Sequence, residues 1–421
     1  MLKKILYILM VLATVALLLI PIFQMTTKHF EVEPLQGVNL KQKWPEFTLD
    51  SWMKFKYQPQ LYKYLVENYG FRETAIRLYN QIHFKFYKKG NANVTVGIDN
   101  YLYEPWFINA YNGANYIGEE KILDQVEKLQ KIKDTLSSLD KELLIVLAPG
   151  KVTFYPEYIP IHLRKEGEHI TNYKRYRTAL ENTNISFIDA NEWFRTAKDS
   201  SAYPLFPQTG THWSTYGACV AYDSIIRNIK TNTAFNMVDT KLANIILKSE
   251  FKKDDEDVEK ILNLMYPIKK FDMAYLQIKL LNKETAFKPT TVVISDSFFW
   301  NIFNNFPAKN KVFGKLQFWY YYGSVFPESY KTPIKAKDLD QKQVFSETDL
   351  FIIMACPATI NKIGWGFIDD TYNFFYGEKA VTRGLNSKRK VYFCILNSIC
   401  KKMPISSFFR LEMQSFTNVN S

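Results

Sequence analysis

The segment Thr291-Val292-Val293-Ile294-Ser295-Asp296-Ser297-Phe298-Phe299-Trp300 carries the strongest chemical pattern in the sequence. Four β-prone residues run into Ser-Asp-Ser and then into an apolar, aromatic run. This spells a buried parallel strand ending in a tight turn that opens a helix. A serine on such a turn holds its hydroxyl at the C-terminal edge of a sheet, where backbone N–H groups can stabilise an oxyanion. Ser295 and Ser297 also read as helix N-caps, the commoner role of Ser-Asp-Ser before a helix. A partner for Ser297 decides between the two.

The sequence offers five histidines. His29 lies in a stem near the N-terminus, His83 sits in a basic helix, and His162 and His169 flank a polar loop. His212 stands in Thr209-Gly210-Thr211-His212-Trp213-Ser214-Thr215-Tyr216-Gly217-Ala218, where a polar loop meets an apolar helix running to Ile229. Ser214 makes the N-cap of that helix and Trp213 a packed anchor. A histidine at such an entrance can serve as general base to a serine, or it can be a loop histidine held by hydrogen bonds.

Two further residues sit at predicted strand ends. Lys151 follows the strand Leu143–Ala148 in Pro149-Gly150-Lys151, but the upstream glycine and the Ser/Thr of a phosphate loop are missing. It is either a cleft residue or a surface lysine. Asn361, in Cys356-Pro357-Ala358-Thr359-Ile360-Asn361, is either an oxyanion donor or an ordinary turn residue. The four cysteines, at 219, 356, 394 and 400, have no metal-ligand spacing, so no metal or cofactor is expected. Cys394 and Cys400 are spaced to pair in an oxidising compartment, although buried free thiols are the favoured reading.

The elements that must position these groups alternate between strand and helix. Strands are expected at Leu143–Ala148, Ile185–Asp189, Thr291–Ile294, Leu316–Tyr321 and Leu350–Ala355, with helices between most of them. The helix Glu119–Leu139 places Ile122, Val126, Leu129, Ile132 and Leu136 on one face. This is an α/β three-layer sandwich with a mainly parallel sheet and its site at the strand C-termini. A hairpin is expected at Val94–Tyr103, turning at Asp99-Asn100.

Lys3-Lys4 precedes an uncharged apolar stretch from Ile5 to Phe23, long enough to cross a bilayer. No Ala-x-Ala site follows, so residues 1–25 read as an uncleaved signal anchor, in contact with lipid through residues 5–23. The positive flank keeps that end cytoplasmic and exports the rest, a single-pass inner-membrane arrangement with a periplasmic body. Residues 26–90 read as a stem and helical lead-in, with Tyr64, Tyr69, Phe71 and Tyr79 as core or helix-docking positions. Residues 91–421 form the main domain, with a helical insertion at about 230–288. Its run Lys252-Lys253-Asp254-Asp255-Glu256-Asp257 reads as a solvated lobe.

The formal charge of +12 admits anionic partners. The basic residues are scattered, with small clusters at Lys388-Arg389-Lys390 and Lys401-Lys402 and no recognition-helix pattern, so nucleic acid is not expected.

Gly210-Thr211-His212-Trp213-Ser214-x-x-Gly217-Ala218, followed 85 residues later by the Ser-Asp-Ser-Phe elbow, resembles the alginate O-acetyltransferase family of SGNH-hydrolase-like proteins, the AlgJ and AlgX type. Asn68-Tyr69-Gly70-Phe71-Arg72, Gly97–Tyr103 and the stretch from Ala148-Pro149-Gly150-Lys151 to Tyr155-Pro156-Glu157-Tyr158-Ile159-Pro160 resemble further segments of the same family. The histidine precedes the serine, as in the acetyltransferase group.

The resemblance implies that Ser297 carries the acetyl group, that His212 activates it, and that Asp296 sits beside the serine in the turn. It implies a polysaccharide acceptor and a multi-spanning membrane acyltransferase as acetyl donor. One departure stands out: the family's acid lies two residues before the histidine, and here that position is Gly210. Asp189, Asp296, Asp369 or a backbone carbonyl is left to orient the imidazole. The same Ser/His pair would serve a polysaccharide O-acetyl esterase. A non-catalytic polysaccharide-binding or scaffold homologue is the reading that the missing acid favours.

Overall fold

The computed structural model describes residues 2–37, 42–167, 169–251, 253–308 and 311–377. It begins with a long helix, α1 (Leu2–Thr27), whose apolar residues are exposed along its length. Three helices follow: α2 (Leu49–Met53), α3 (Tyr57–Asn68) and α4 (Arg72–Tyr87). A small antiparallel pair, β1 (Thr95–Val96) and β2 (Leu102–Tyr103), turns through Asp99 and Asn100, both at positive φ. Asparagine and aspartate tolerate this region better than other side chains, which explains the turn sequence.

The body then alternates. In order come α5 (Pro105–Tyr111), α6 (Glu119–Ser137), β3 (Glu142–Leu147), α7 (Lys151–Phe154), α8 (Asn172–Glu181), β4 (Ser186–Asp189) and α9 (Ala190–Ala197). After α10 (Thr215–Asn232) come β5 (Asp239–Lys248), α11 (Asp257–Leu262) and β6 (Met273–Leu281). The chain continues through β7 (Thr291–Ser295), α12 (Phe299–Asn305), β8 (Leu316–Tyr320), β9 (Ser324–Phe326), α13 (Gln341–Glu347), β10 (Leu350–Ala355) and α14 (Phe367–Tyr376).

Six strands form the central sheet in the order β4-β3-β10-β7-β8-β9, all parallel except the β8–β9 edge pair. Parallel strands need crossover helices on both faces, so β3, β7 and β10 are buried almost throughout, as their continuous apolar runs require. One face packs on α10 and α12, through Ala218, Tyr222, Ile225, Phe299 and Ile302. The other packs on α6, α8 and α14, where Ile122, Val126, Leu129, Ile132 and Leu136 all lie buried on the predicted face of α6. This is the expected three-layer sandwich. Register aligns Ser295 with Met354 and Tyr320, so the loops after β7, β8 and β10 share one edge.

Two expectations are corrected. The segment 230–288 is not mainly helical: β5 and β6 form an antiparallel ribbon against α10. Leu276, Ile278 and Leu280 alternate with Gln277 and Lys279, a period of two that marks a strand with one buried face. Of the two roles expected for the lead-in aromatics, core or helix docking, the core role does not hold, while Phe71 packs on Phe30 and Tyr64 on Trp44. Tyr69 and Tyr79 are exposed, and Tyr64 and Phe71 only partly covered. Cys219 and Cys356 are buried free thiols, while Cys394, Cys400 and the basic clusters of residues 388–402 lie outside the described residues.

Candidate active site

The elbow after β7 places Ser297 at the C-terminal edge of the sheet. Asp296 fixes its shape. One carboxylate oxygen accepts from Phe298 N–H at 3.0 Å; the other accepts from Cys356 N–H at 2.9 Å and the Thr359 hydroxyl at 2.6 Å. Asp296 is therefore a buried brace between the β7 and β10 loops rather than a partner of the histidine. Neither serine caps a helix: Phe298 is the N-cap of α12 and makes no side-chain cap bond.

The loop before α10 carries His212 across to this edge. Ser214 caps α10, its hydroxyl accepting from Gly217 N–H at 2.9 Å. Trp213 is fully buried, and its indole N–H donates to the Phe298 carbonyl at 3.2 Å. Asn301 donates back to the Trp213 carbonyl at 3.4 Å. The two loops are thus tied at two points, and His212 Nε2 lies 2.8 Å from Ser297 Oγ.

The other imidazole nitrogen, Nδ1, lies 2.9 Å from Asp257 Oδ2. Asp257 opens α11, and its second oxygen accepts from Thr211 N–H at 2.9 Å and from its neighbour Val258 N–H. The acidic run is therefore not a solvated lobe. Asp255 is fully buried and accepts from Thr215 N–H at 3.1 Å and from the Thr215 hydroxyl; Glu259 N–H donates to the Thr209 carbonyl at 3.1 Å. The run clasps the histidine loop from 209 to 215. Burial pushes the Asp255 carboxyl up to about 6 against the pull of its hydrogen bonds.

Burial pulls the His212 imidazole down, but the Asp257 hydrogen bond and charge, with Asp296 and Glu104, outweigh it and raise its pKa above the ordinary histidine value. Its side chain remains 17% exposed, so the pair opens to solvent.

Lys151 is buried rather than exposed at a cleft surface. Its ammonium donates to the carbonyls of Leu102 (2.8 Å), Gln208 (2.7 Å) and Gly210 (2.7 Å), pinning the histidine loop to the β1–β2 hairpin. Burial pushes this amine down to about 7, with Asp257 and Glu104 pulling the other way. Asn361 lines a groove of about 570 Å³ with Tyr321, Lys362 and Trp365. Burial, with the Asp296 charge, raises the Tyr321 phenol well above its ordinary value. Asp189 instead caps α9 and accepts from Tyr173, and Asp369 pairs with Lys128, so neither orients His212.

Sequence reasoning missed Asp257. Asp257 is 45 residues from His212, inside a charged run whose spacing gives no sign that it folds inward. Among the described residues no cluster of His, Cys, Asp and Glu is arranged to hold a metal ion.

The fold is thus a mainly parallel sandwich with a serine elbow after β7 and a histidine at the entrance of α10. Residues 94–246 match the family described as ALGX, SGNH hydrolase-like domain, acetyltransferase AlgX, a match that includes His212 and ends before Ser297. The chain is 26% identical over 155 residues to the probable alginate O-acetylase AlgJ of Pseudomonas syringae pv. tomato, covering 37% of this chain and 38% of that protein. It is 22% identical over 190 residues to the probable alginate O-acetylase AlgJ of Pseudomonas fluorescens, covering 45% and 46%. The aligned part thus spans under half the length of these relatives. Among solved structures, the O-acetyltransferase domain of Pseudomonas putida AlgJ superposes with a TM-score of 0.42 at 15% identity, over 67% of this chain and 99% of that one. Pseudomonas aeruginosa AlgX gives 0.39 at 12%, over 66% and 67%.

Proposed function

We propose that this chain is a membrane-anchored, extracytoplasmic O-acetyltransferase that modifies an exported polysaccharide through an acetyl-serine intermediate. One observation carries the reading: Ser297 Oγ, His212 and Asp257 form a continuous relay with contacts of 2.8 and 2.9 Å. Asp257 accepts from Nδ1–H and so selects the tautomer whose Nε2 is a free base. His212 Nε2 takes the Ser297 proton as Oγ attacks the acetyl carbonyl. The same proton is then delivered to the leaving group. In the second half, His212 deprotonates a sugar hydroxyl, which attacks the acetyl ester, and the imidazolium returns that proton to Ser297 Oγ as the acyl bond breaks. Tyr321 stays protonated, because burial and the Asp296 charge raise its phenol, and a protonated phenol can donate to the tetrahedral oxyanion.

The acetyl donor implied by the family resemblance is a multi-spanning membrane acyltransferase, and α1, with 25 residues apolar enough to cross a bilayer, supports a site held near it. Water in place of the sugar hydroxyl would make the same relay an esterase. The non-catalytic reading rested on the absence of an acid before His212, and Asp257 supplies one.

The test exposes the full chain to an activated acetyl ester and maps the adduct by intact mass and peptide mass spectrometry. Acetyl on Ser297 that disappears in Ser297→Ala and His212→Ala is the expected result. A folded wild-type chain that never acquires the adduct would remove the proposal. Adding oligosaccharide to the acetylated protein then separates transferase from esterase by where the acetyl goes.

A further inference from the structure

The helices that follow α1 are inside out. On α4 the buried residues are Glu73, Asn80 and Phe84, while Ala75, Leu78, Tyr79, Ile82 and Phe86 are exposed. Those exposed positions recur at intervals of three and four, one continuous apolar stripe. On α3 and its C-cap the pattern repeats, with Tyr62, Leu65, Val66 and Tyr69 all exposed and Tyr62 at 70%. Upstream, Trp44, Phe47, Leu49, Met53 and Phe55 also face out, Phe55 at 77%. A helix on a soluble domain turns such a stripe to the core. Here the polar side goes in instead: Asn80 donates to the Leu262 carbonyl at 2.8 Å. An outward apolar face of this extent needs an apolar partner.

Position identifies the partner. Gly70, between α3 and α4, lies so close to the end of α1 that a Cβ there would sit 2.0 Å from the Pro21 carbonyl oxygen and 2.9 Å from Met25 N. Gln24 closes the turn after α1, donating to the Phe30 carbonyl at 2.7 Å and accepting from Phe30 N–H at 3.0 Å. Phe30 packs on Phe71, and Arg77 donates to the carbonyls of Glu33 and Pro34. The helices are therefore fixed where the apolar stretch of α1 runs out. If α1 spans a bilayer, this joint lies at headgroup level. Residues 49–89 carry eight basic against three acidic side chains, interleaved with Trp, Tyr and Phe. Interfacial lipid takes aromatic rings at that depth and draws lysine and arginine toward anionic headgroups.

We infer that α2, α3 and α4 form an interfacial module that lies in the bilayer surface with its aromatic stripe in the headgroup and upper acyl layer. The inference rests on α1 being a membrane span. The module also reaches the site. Phe84 packs with Val258, Leu262 and Ile268, and Asn80 bonds the C-terminal end of α11, whose first residue is Asp257. The surface of the membrane thus sets the position of the helix that orients His212.

The test reconstitutes the full chain in vesicles of phosphatidylethanolamine and phosphatidylglycerol, some carrying lipids brominated near the carbonyl end of the acyl chain, a short-range quencher of tryptophan. The wild type should lose part of its emission, no more than the share two of its eight tryptophans contribute. The conservative W44F/W52F variant should lose that quenching while remaining with the vesicles. Wild-type protein that survives an alkaline wash on the vesicles yet shows no quenching dependent on Trp44 and Trp52 overturns the module and leaves the span standing. The stripe would then fit a membrane-protein partner. Protein that washes off refutes the span and the module with it.

Discussion

Asp257 Oδ2 lies 2.9 Å from Nδ1 of His212, although the two residues are 45 positions apart, one before α10 and the other opening α11. The orienting acid therefore reaches the histidine from a separate helix, α11, and not from the histidine's own loop.

Replacing Asp257 by Asn keeps the shape but offers the imidazole an amide that can hold the wrong tautomer. Turnover of an activated acetyl ester should fall by orders of magnitude, up to about 10⁴-fold as in serine triads. The measurement is kcat for Asp257→Asn beside the wild type. A change of less than about tenfold, on the ordinary scale of general-base contributions, would mean that Asp257 is not the orienting acid.

The pH profile follows from the raised pKa of His212. Only the neutral imidazole accepts the Ser297 proton, so acylation should decline as pH falls through that value, with its acid limb above the usual histidine range. Asp257→Asn removes the negative charge, and with it the charge-assisted hydrogen bond, that raise it, and the limb should move to lower pH. A folded pKa above the unfolded one means that His212 contributes stability fully present below about pH 6.5, lost as pH rises through the folded value. Urea titrations of wild type and His212→Gln should therefore differ in the wild type's favour in acid and converge above the folded pKa. A gap that widens toward alkaline pH would contradict the shift.

The strand-ending elbow, the histidine at the α10 entrance and the buried face of α6 were all legible, because each is a local pattern: a β-rich run into Ser-Asp-Ser, a Ser214 cap, a 3.6-residue period. What was not legible depended on distant pairing. Asp257 and Asp255 look like a solvated charge run until the fold sets Thr211 and Thr215 against them. The β5–β6 ribbon was hidden by the surrounding charge, although the alternation Leu276, Ile278, Leu280 was there to be read. Lys151 was equally ambiguous, since one sequence position cannot show that three carbonyls from two loops converge on it.

Lys151→Met should destabilise the protein and loosen the site together. It removes three donated bonds to Leu102, Gln208 and Gly210, at roughly 1 kcal/mol each. The slope with pH is a second readout. Burial lowers the amine to about 7, so between that value and about 10.4 the unfolded chain binds more protons than the folded one, and stability rises with pH. Lys151→Met should flatten that rise in denaturation midpoints measured from pH 7 to 10. A variant that keeps the slope would assign it to other groups.

Gly210 stands where the resemblance leads one to expect an acid. A Cβ at Gly210 would meet the Asp255 carbonyl oxygen and Pro207 Cγ at 2.9 Å and the Asp254 carbonyl oxygen at 3.0 Å. The acidic loop that delivers Asp257 occupies the space an aspartate side chain at 210 would need, and two of the crowding atoms are backbone carbonyls, which would also repel a carboxylate. Gly210→Asp should therefore not restore the family pattern. It should push the 254–257 loop away, weaken the Asp257–His212 contact and lower both the denaturation midpoint and the acylation rate. The double variant Gly210→Asp with Asp257→Ala separates the two outcomes. If position 210 can take over the role, the double variant should outperform Asp257→Ala alone. Steric displacement requires it to do no better, because the orienting acid and the glycine are two parts of one arrangement and only one of them fits.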